Sequence, residues 1–231
     1  MPTNPTPDEA AATRKKYLRW MRKQWDMTAL AKQGEDMVFC YSVWGGAFAN
    51  LPAKDWLEAL RAGRPDEVPE IRQRSWADAG FLAGEVLTQS GGYRLLPWLL
   101  LPVGHHERWS TLQRVHMIGP TIAAWLLRDL SFLMDYRPDI GRSVIRLRTR
   151  PDSSWFRALP VPAQACYLPM SRWVHEACIE HAVYTESEVG DLATPSGHES
   201  AAIHLANWCA ARDLDAREVN VHWYGTGSGN V

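Results

Sequence analysis

The sequence predicts an all-α fold, and three observations carry that prediction. Apolar residues recur at helical spacing along most of the 231 residues, with tryptophan, leucine and alanine sharing faces. Glycines and prolines fall between those stretches, where helices start and stop. No apolar–polar alternation reaches a useful strand length, the one stretch open to that reading being Glu218–Trp223. Hydrophobic residues make up 46% of the chain and charged residues 22%, which suits an ordinary core and excludes gross disorder. The net charge of −1 excludes a global basic field, so any nucleic-acid surface has to be local. Most of the twelve tryptophans are expected in the core, since they fall beside Leu and Ala at helical spacing.

The elements follow in order. Residues 1–11 read as a flexible lead, and residues 12–224 as a single helical domain. The first helix starts near Ala12 and mixes Lys15, Lys16, Arg19, Arg22 and Lys23 with Tyr17, Leu18, Trp20, Met21 and Trp25. Such a basic amphipathic face is either solvated or a contact for DNA or a membrane surface. Met37–Trp44 is a continuous apolar run that length alone leaves open between buried strand and buried helix, and Gly45-Gly46 ends it. A helix is expected over Ala53–Ala62, and a long one from about Ile71 to Gln89, stopped by Ser90-Gly91-Gly92. Pro97 and Pro102 bracket an apolar linker. A pair of helices around a hairpin covers about 108–134, and another helix is expected after Pro138. Pro160 and Pro162 form a second linker, helices follow near 163–183 and 198–212 with an acidic loop between them, and 225–231 reads as a flexible tail.

Cysteines stand at 40, 166, 178 and 209, a spacing that fits neither a disulfide framework nor CxxC pairs, so reduced thiols and a cytoplasmic setting are expected. The N-terminus has no signal-peptide pattern. The longest apolar run, Leu95–Val103, contains two prolines and is too short to span a bilayer, so no membrane partner is expected, and a monomer is. His175, Cys178 and His181 form the best metal-like cluster, but three positions at that spacing do not converge on one helix face, and no metal is expected there.

The most informative block runs from Arg108 to Leu147. A short helix leads into Val115-His116-Met117-Ile118-Gly119-Pro120, then a second helix with Ile122, Leu126, Leu130 and Leu133 on one stripe. Asp139 follows twenty residues after Gly119, among Arg137, Arg142, Arg146, Arg148 and Arg150. This block resembles the helix-hairpin-helix DNA glycosylases, the superfamily of endonuclease III and the bacterial alkyladenine glycosylases. The likeness extends as helix order over roughly residues 30–224, with a weaker echo at Leu214–Val219. It implies a two-lobed helical fold with DNA as partner. In the family the hairpin turn reads Gly–apolar–Gly, and its N–H groups point at a DNA phosphate. Gly119 matches the second glycine, while Met117 stands at the first, where it fits only if φ stays negative. Met117, Gly119, Thr121, Arg142 and Arg146 are therefore the expected DNA-contacting residues. A plain helical corner at Gly119, and a surface helix whose arginines pair with the acidic 186–199 segment, are the alternatives.

The resemblance makes Asp139 the catalytic acid. Breaking an N-glycosidic bond builds positive charge on the sugar, which one carboxylate stabilises while it orients or deprotonates the attacking water. Asp139 also suits a helix cap. Asp135 is the second candidate acid, and Asp129, inside a helix and paired with an arginine, the third. Family members that are lyases use a lysine two residues after the second glycine. Thr121 stands there, and Lys54 is the last lysine in the chain. The expectation is thus a monofunctional enzyme that leaves an abasic site. The family's four clustered cysteines for an iron–sulfur centre are absent, which leaves room only for a structural cation at the hairpin. For the extruded base, Tyr41, Trp44 and Tyr136 are stacking candidates, and Phe48 or Asn50 a wedge. Pocket signatures for oxidised guanine, alkylated purine or adenine are not recognisable. That leaves room for an unusual base of the kind antiviral glycosylases remove from phage DNA, such as glucosylated hydroxymethylcytosine. A non-catalytic helix-hairpin-helix module that binds DNA or a protein is the alternative.

Overall fold

The computed structural model describes residues 4–24, 34–44, 51–101, 104–136 and 154–228. Among them are thirteen α-helices and no strand, so the fold is all-α. They are α1 (Pro7–Gln24), α2 (Gly34–Trp44), α3 (Leu51–Arg61), α4 (Glu70–Gln89), α5 (Leu95–Leu99), α6 (His105–Leu112) and α7 (Pro120–Tyr136). After these come α8 (Ser154–Arg157), α9 (Val161–Ala165), α10 (Arg172–Glu180), α11 (Glu186–Val189), α12 (Pro195–Ala210) and α13 (Ala216–Ser228).

Two helices run through the interior, and their composition explains why. The run Met37–Tyr41 in α2 is buried on every side, so its lack of periodicity reflects a central helix rather than a strand. α7 buries Ala123, Ala124, Leu126, Leu127, Leu130 and Phe132, and also Arg128, Asp129 and Ser131. Around them, α4 buries the stripe Ser75, Ala79, Leu82 and Val86. It ends at Gly91 and Gly92, whose φ values of 72° and 103° suit glycine alone. The proline-bracketed linker is partly helical: α5 inserts Leu95, Leu96 and Leu99 into the core.

Both chain-terminal segments depart from the sequence reading. α1 begins at Pro7, within the segment read as a lead, and Glu9 caps it by accepting from the Thr6 N–H at 2.8 Å. Glu218–Trp223 is helical rather than extended, and α13 continues to Ser228, into the segment read as a tail. The acidic segment after Tyr184 contains α11, opened by a capping box between Thr185 and Glu188. Thr194 caps α12, accepting from the Gly197 N–H at 3.1 Å.

Charged side chains tie these helices from inside. Asp129 is fully buried. It accepts from the Tyr41 hydroxyl at 2.5 Å, the Tyr17 hydroxyl at 2.9 Å and the Arg128 guanidinium at 3.0 Å, joining α1, α2 and α7. Arg128 also donates to Asn220 of α13 at 2.8 Å. Burial pushes the Asp129 carboxyl up, while Arg128 and the two hydroxyls pull it back. A second buried pair caps α13, with Arg217 donating to Asp215 at 2.7 Å and to Ser131 at 3.0 Å.

None of the four cysteines forms a disulfide, and all are buried. Among the described residues, no helix is long and apolar enough to cross a membrane.

Candidate functional site: the hairpin between α6 and α7

Two helices, α6 and α7, pack against each other across a short turn. α6 unwinds through successive tight turns, in which Gln113, Arg114 and Val115 donate to Ser110, Thr111 and Leu112 at 3.1–3.2 Å. The Ile118 N–H then donates to the Val115 carbonyl at 3.0 Å, and the Ala123 N–H donates to the Gly119 carbonyl, also at 3.0 Å, to begin α7. Pro120 sits at the first position of α7, where a missing N–H costs nothing. Its carbonyl accepts from the Trp109 indole at 3.0 Å, bracing one helix of the pair against the other.

Met117 corrects the expectation of a negative φ. Its φ is 71°, in the left-handed region that glycine normally fills, and its side chain is exposed. The backbone here takes the shape that the resemblance ascribes to a glycine, although the residue is methionine. Gly119 behaves in the opposite way. Its φ is not positive, and a Cβ placed on it would meet nothing within 4 Å. Neither backbone geometry nor the protein's own packing requires glycine at 119, and open space lies above it.

The corner is rich in unused donors. The backbone N–H groups of Met117, Gly119, Thr121 and Ile122 have no hydrogen-bond partner among the described residues. Met117 and Gly119 are exposed, and Thr121 and Ile122 half-buried. Amides grouped this way at the start of a 17-residue helix favour a bound anion through their N–H groups and the helix dipole together. Nearby Arg114 is exposed, but its guanidinium is tied to Glu85 at 2.8 Å.

What fixes this corner is a clamp from α4 that sequence reasoning did not identify. The Asp78 carboxylate accepts from the His116 N–H at 2.9 Å. The Ser75 hydroxyl donates to the His116 carbonyl at 3.0 Å. One residue of the turn, His116, is thus held at both its backbone N–H and its carbonyl, which lie in adjacent peptides. The available signal was a serine interrupting the otherwise apolar stripe 75–79–82–86, but nothing in the sequence pairs it with a turn about forty residues away.

Among the other expected residues, Tyr41 requires a correction. It is fully buried with its hydroxyl committed to Asp129, so it offers no stacking face. Asp129 is likewise sealed in the core and paired with Arg128, which removes it as a candidate acid. Trp44 and Tyr136 end α2 and α7, and their side chains, like that of Asp135, lie outside the described residues. Phe48, Asn50, Asp139, Arg142 and Arg146 also lie outside the described residues.

The metal-like cluster on α10 is dispersed. His175 shares a hydrogen bond of 3.0 Å with the Tyr184 hydroxyl, Cys178 is buried, and His181 stacks on Trp223. Among the described residues, no three His, Cys, Asp or Glu side chains are grouped to hold a metal ion.

No family model, curated protein or solved structure matches the chain.

Proposed function

We propose that the protein is a monofunctional DNA N-glycosylase that grips a strand with the α6–α7 hairpin and excises a base with Asp139. One observation carries the reading: an exposed corner, clamped from behind by Ser75 and Asp78, in which four backbone N–H groups await an acceptor and a methionine takes the conformation of the expected glycine. A phosphodiester oxygen is the acceptor that suits it, and the absent Cβ at Gly119 admits a backbone at close range.

The chemistry rests on the resemblance. The Asp139 carboxylate stabilises the cationic sugar as the glycosidic bond breaks and takes a proton from the attacking water. Thr121, at the position of the lyase lysine, supplies no amine, so no covalent adduct forms and an abasic site remains. A hypermodified phage base is the substrate class to test alongside ordinary lesions.

The experiment is mass spectrometry of bases released from genomic DNA of several origins, phage DNA included, with wild type and Asp139→Asn. The expected outcome is a released base, no borohydride-trapped adduct, and at least a hundredfold loss of release in the variant at unchanged DNA affinity. Absence of any released base across the panel, with salt-dependent DNA binding retained, would leave a binding module instead.

A further inference from the structure

We infer that the seam between α1 and α13 carries an oxyanion site of the phosphate class, formed by Lys16, Thr13 and His222. The inference stands apart from the hairpin and from the activity proposed above. The two helices pack side by side and leave a notch of about 200 Å³ lined by Ala12, Thr13, Lys16, His222 and Thr226. No carboxylate lines it.

One ring nitrogen beside the notch is left without a partner. The Thr13 hydroxyl and the His222 Nδ1 lie 3.1 Å apart and share a hydrogen bond, whereas the buried His222 Nε2 has no partner. A neutral imidazole and a hydroxyl hold two exchangeable protons between them. One lies in their mutual bond, and the other is left to donate elsewhere. Burial pushes the His222 pKa down, with Glu9 pulling weakly the other way, so the ring is neutral at pH 7 when the notch is empty. Thr226 contributes a wall only, because its hydroxyl donates to the His222 carbonyl at 2.8 Å.

The surrounding charges favour an anion. Two carboxylates stand near His222, and both are occupied. Glu9 is turned back onto Thr6, accepting from its N–H at 2.8 Å and its hydroxyl at 2.9 Å. Glu218, one turn earlier on α13, is paired with Arg14 at 2.6 Å. Lys16 is exposed and has no ion-pair partner among the described residues. The notch therefore presents one unneutralised cation beside a buried ring nitrogen that lacks a partner. A tetrahedral oxyanion suits both in the tautomer where the Thr13 hydroxyl donates to Nδ1 and the ring proton sits on Nε2: it then accepts from Lys16 and from the Nε2–H.

The test follows the histidine ring signals of the intact protein by NMR, with inorganic phosphate added at constant ionic strength against sodium chloride. A short single-stranded oligonucleotide forms a second arm. The expected result is a saturable shift of the His222 ring with phosphate, no such shift at exposed His106, and about tenfold weaker binding in Lys16→Gln. Lys16 is exposed and its replacement leaves the packing intact. A His222 shift with both ligands assigns the site to strand phosphates, and a shift with inorganic phosphate alone assigns it to the free ion. A His222 response that matches chloride, or one that Lys16→Gln leaves unchanged, overturns the inference.

Discussion

Met117 occupies a conformation that its own Cβ opposes. A non-glycine residue with positive φ costs on the order of 1–3 kcal/mol, and it persists here because the Ser75–Asp78 clamp and the Val115–Ile118 bond determine the turn around it. Met117→Gly is expected to raise unfolding stability by about 0.5–1 kcal/mol in urea denaturation, the relief of strain being partly offset by the entropy of an extra glycine. Stability equal to or below wild type would show that the turn holds no strain at this position. The sequence pointed to this residue as the anomaly of the hairpin but assigned it the wrong sign of φ. Propensity argued for an ordinary turn, and the contacts that override it come from α4. Tyr41 illustrates the same limit. Its place in an apolar run was legible, while its bond to Asp129, 88 residues away, was not.

Among the elements, those with clear punctuation were legible and those buried on all sides were not. α4 starts and stops within a residue or so of expectation, because Pro69 precedes it and Gly91-Gly92 follows. α13 misled because Val219, Val221 and Trp223 alternate with Glu218, Asn220 and His222 like an amphipathic strand. In the fold most of the polar members are buried as well: Asn220 donates to the Pro169 carbonyl at 3.1 Å and accepts from Arg128, and His222 meets Thr13. An alternation that separates two kinds of buried residue carries no information about period. For the hairpin, the helix pair was legible and its support was not. Asp78→Ala is expected to cost about 1.5–3 kcal/mol. It should also accelerate hydrogen exchange at the His116 amide, read by NMR; an unchanged exchange rate would exclude the clamp.

At the scale of the whole molecule, the interior holds charged and polar side chains beside the apolar ones. Two arginine–aspartate pairs are sealed in it, and burial lowers the pKa of His198 and of His222. His198 is the clearest case. It stacks on Trp109, its Nε2 accepts from the Met170 N–H at 3.2 Å, and burial pushes its pKa down to about 3. Below the ordinary histidine value of roughly 6.5 the unfolded chain binds a proton that the folded one refuses, so stability is complete above that pH and falls as pH drops toward 3. Urea denaturation between pH 7 and pH 4 is expected to show a slope from this residue approaching about 1.4 kcal/mol per pH unit. His198→Gln should flatten that slope, and an identical slope in the variant would place the pH dependence elsewhere.

The antiparallel seam of α1 on α13 has a mechanical corollary. Thr13 faces His222 and Arg14 faces Glu218, so Pro7 and Ser228 lie toward the same end of the pair. Tension drawn between those two points would load the cross-links one after another, as in a zipper, instead of shearing them together. The first helix would then peel from the last at low force, and the Tyr17 hydroxyl leaving Asp129 would be the step that opens the interior to water.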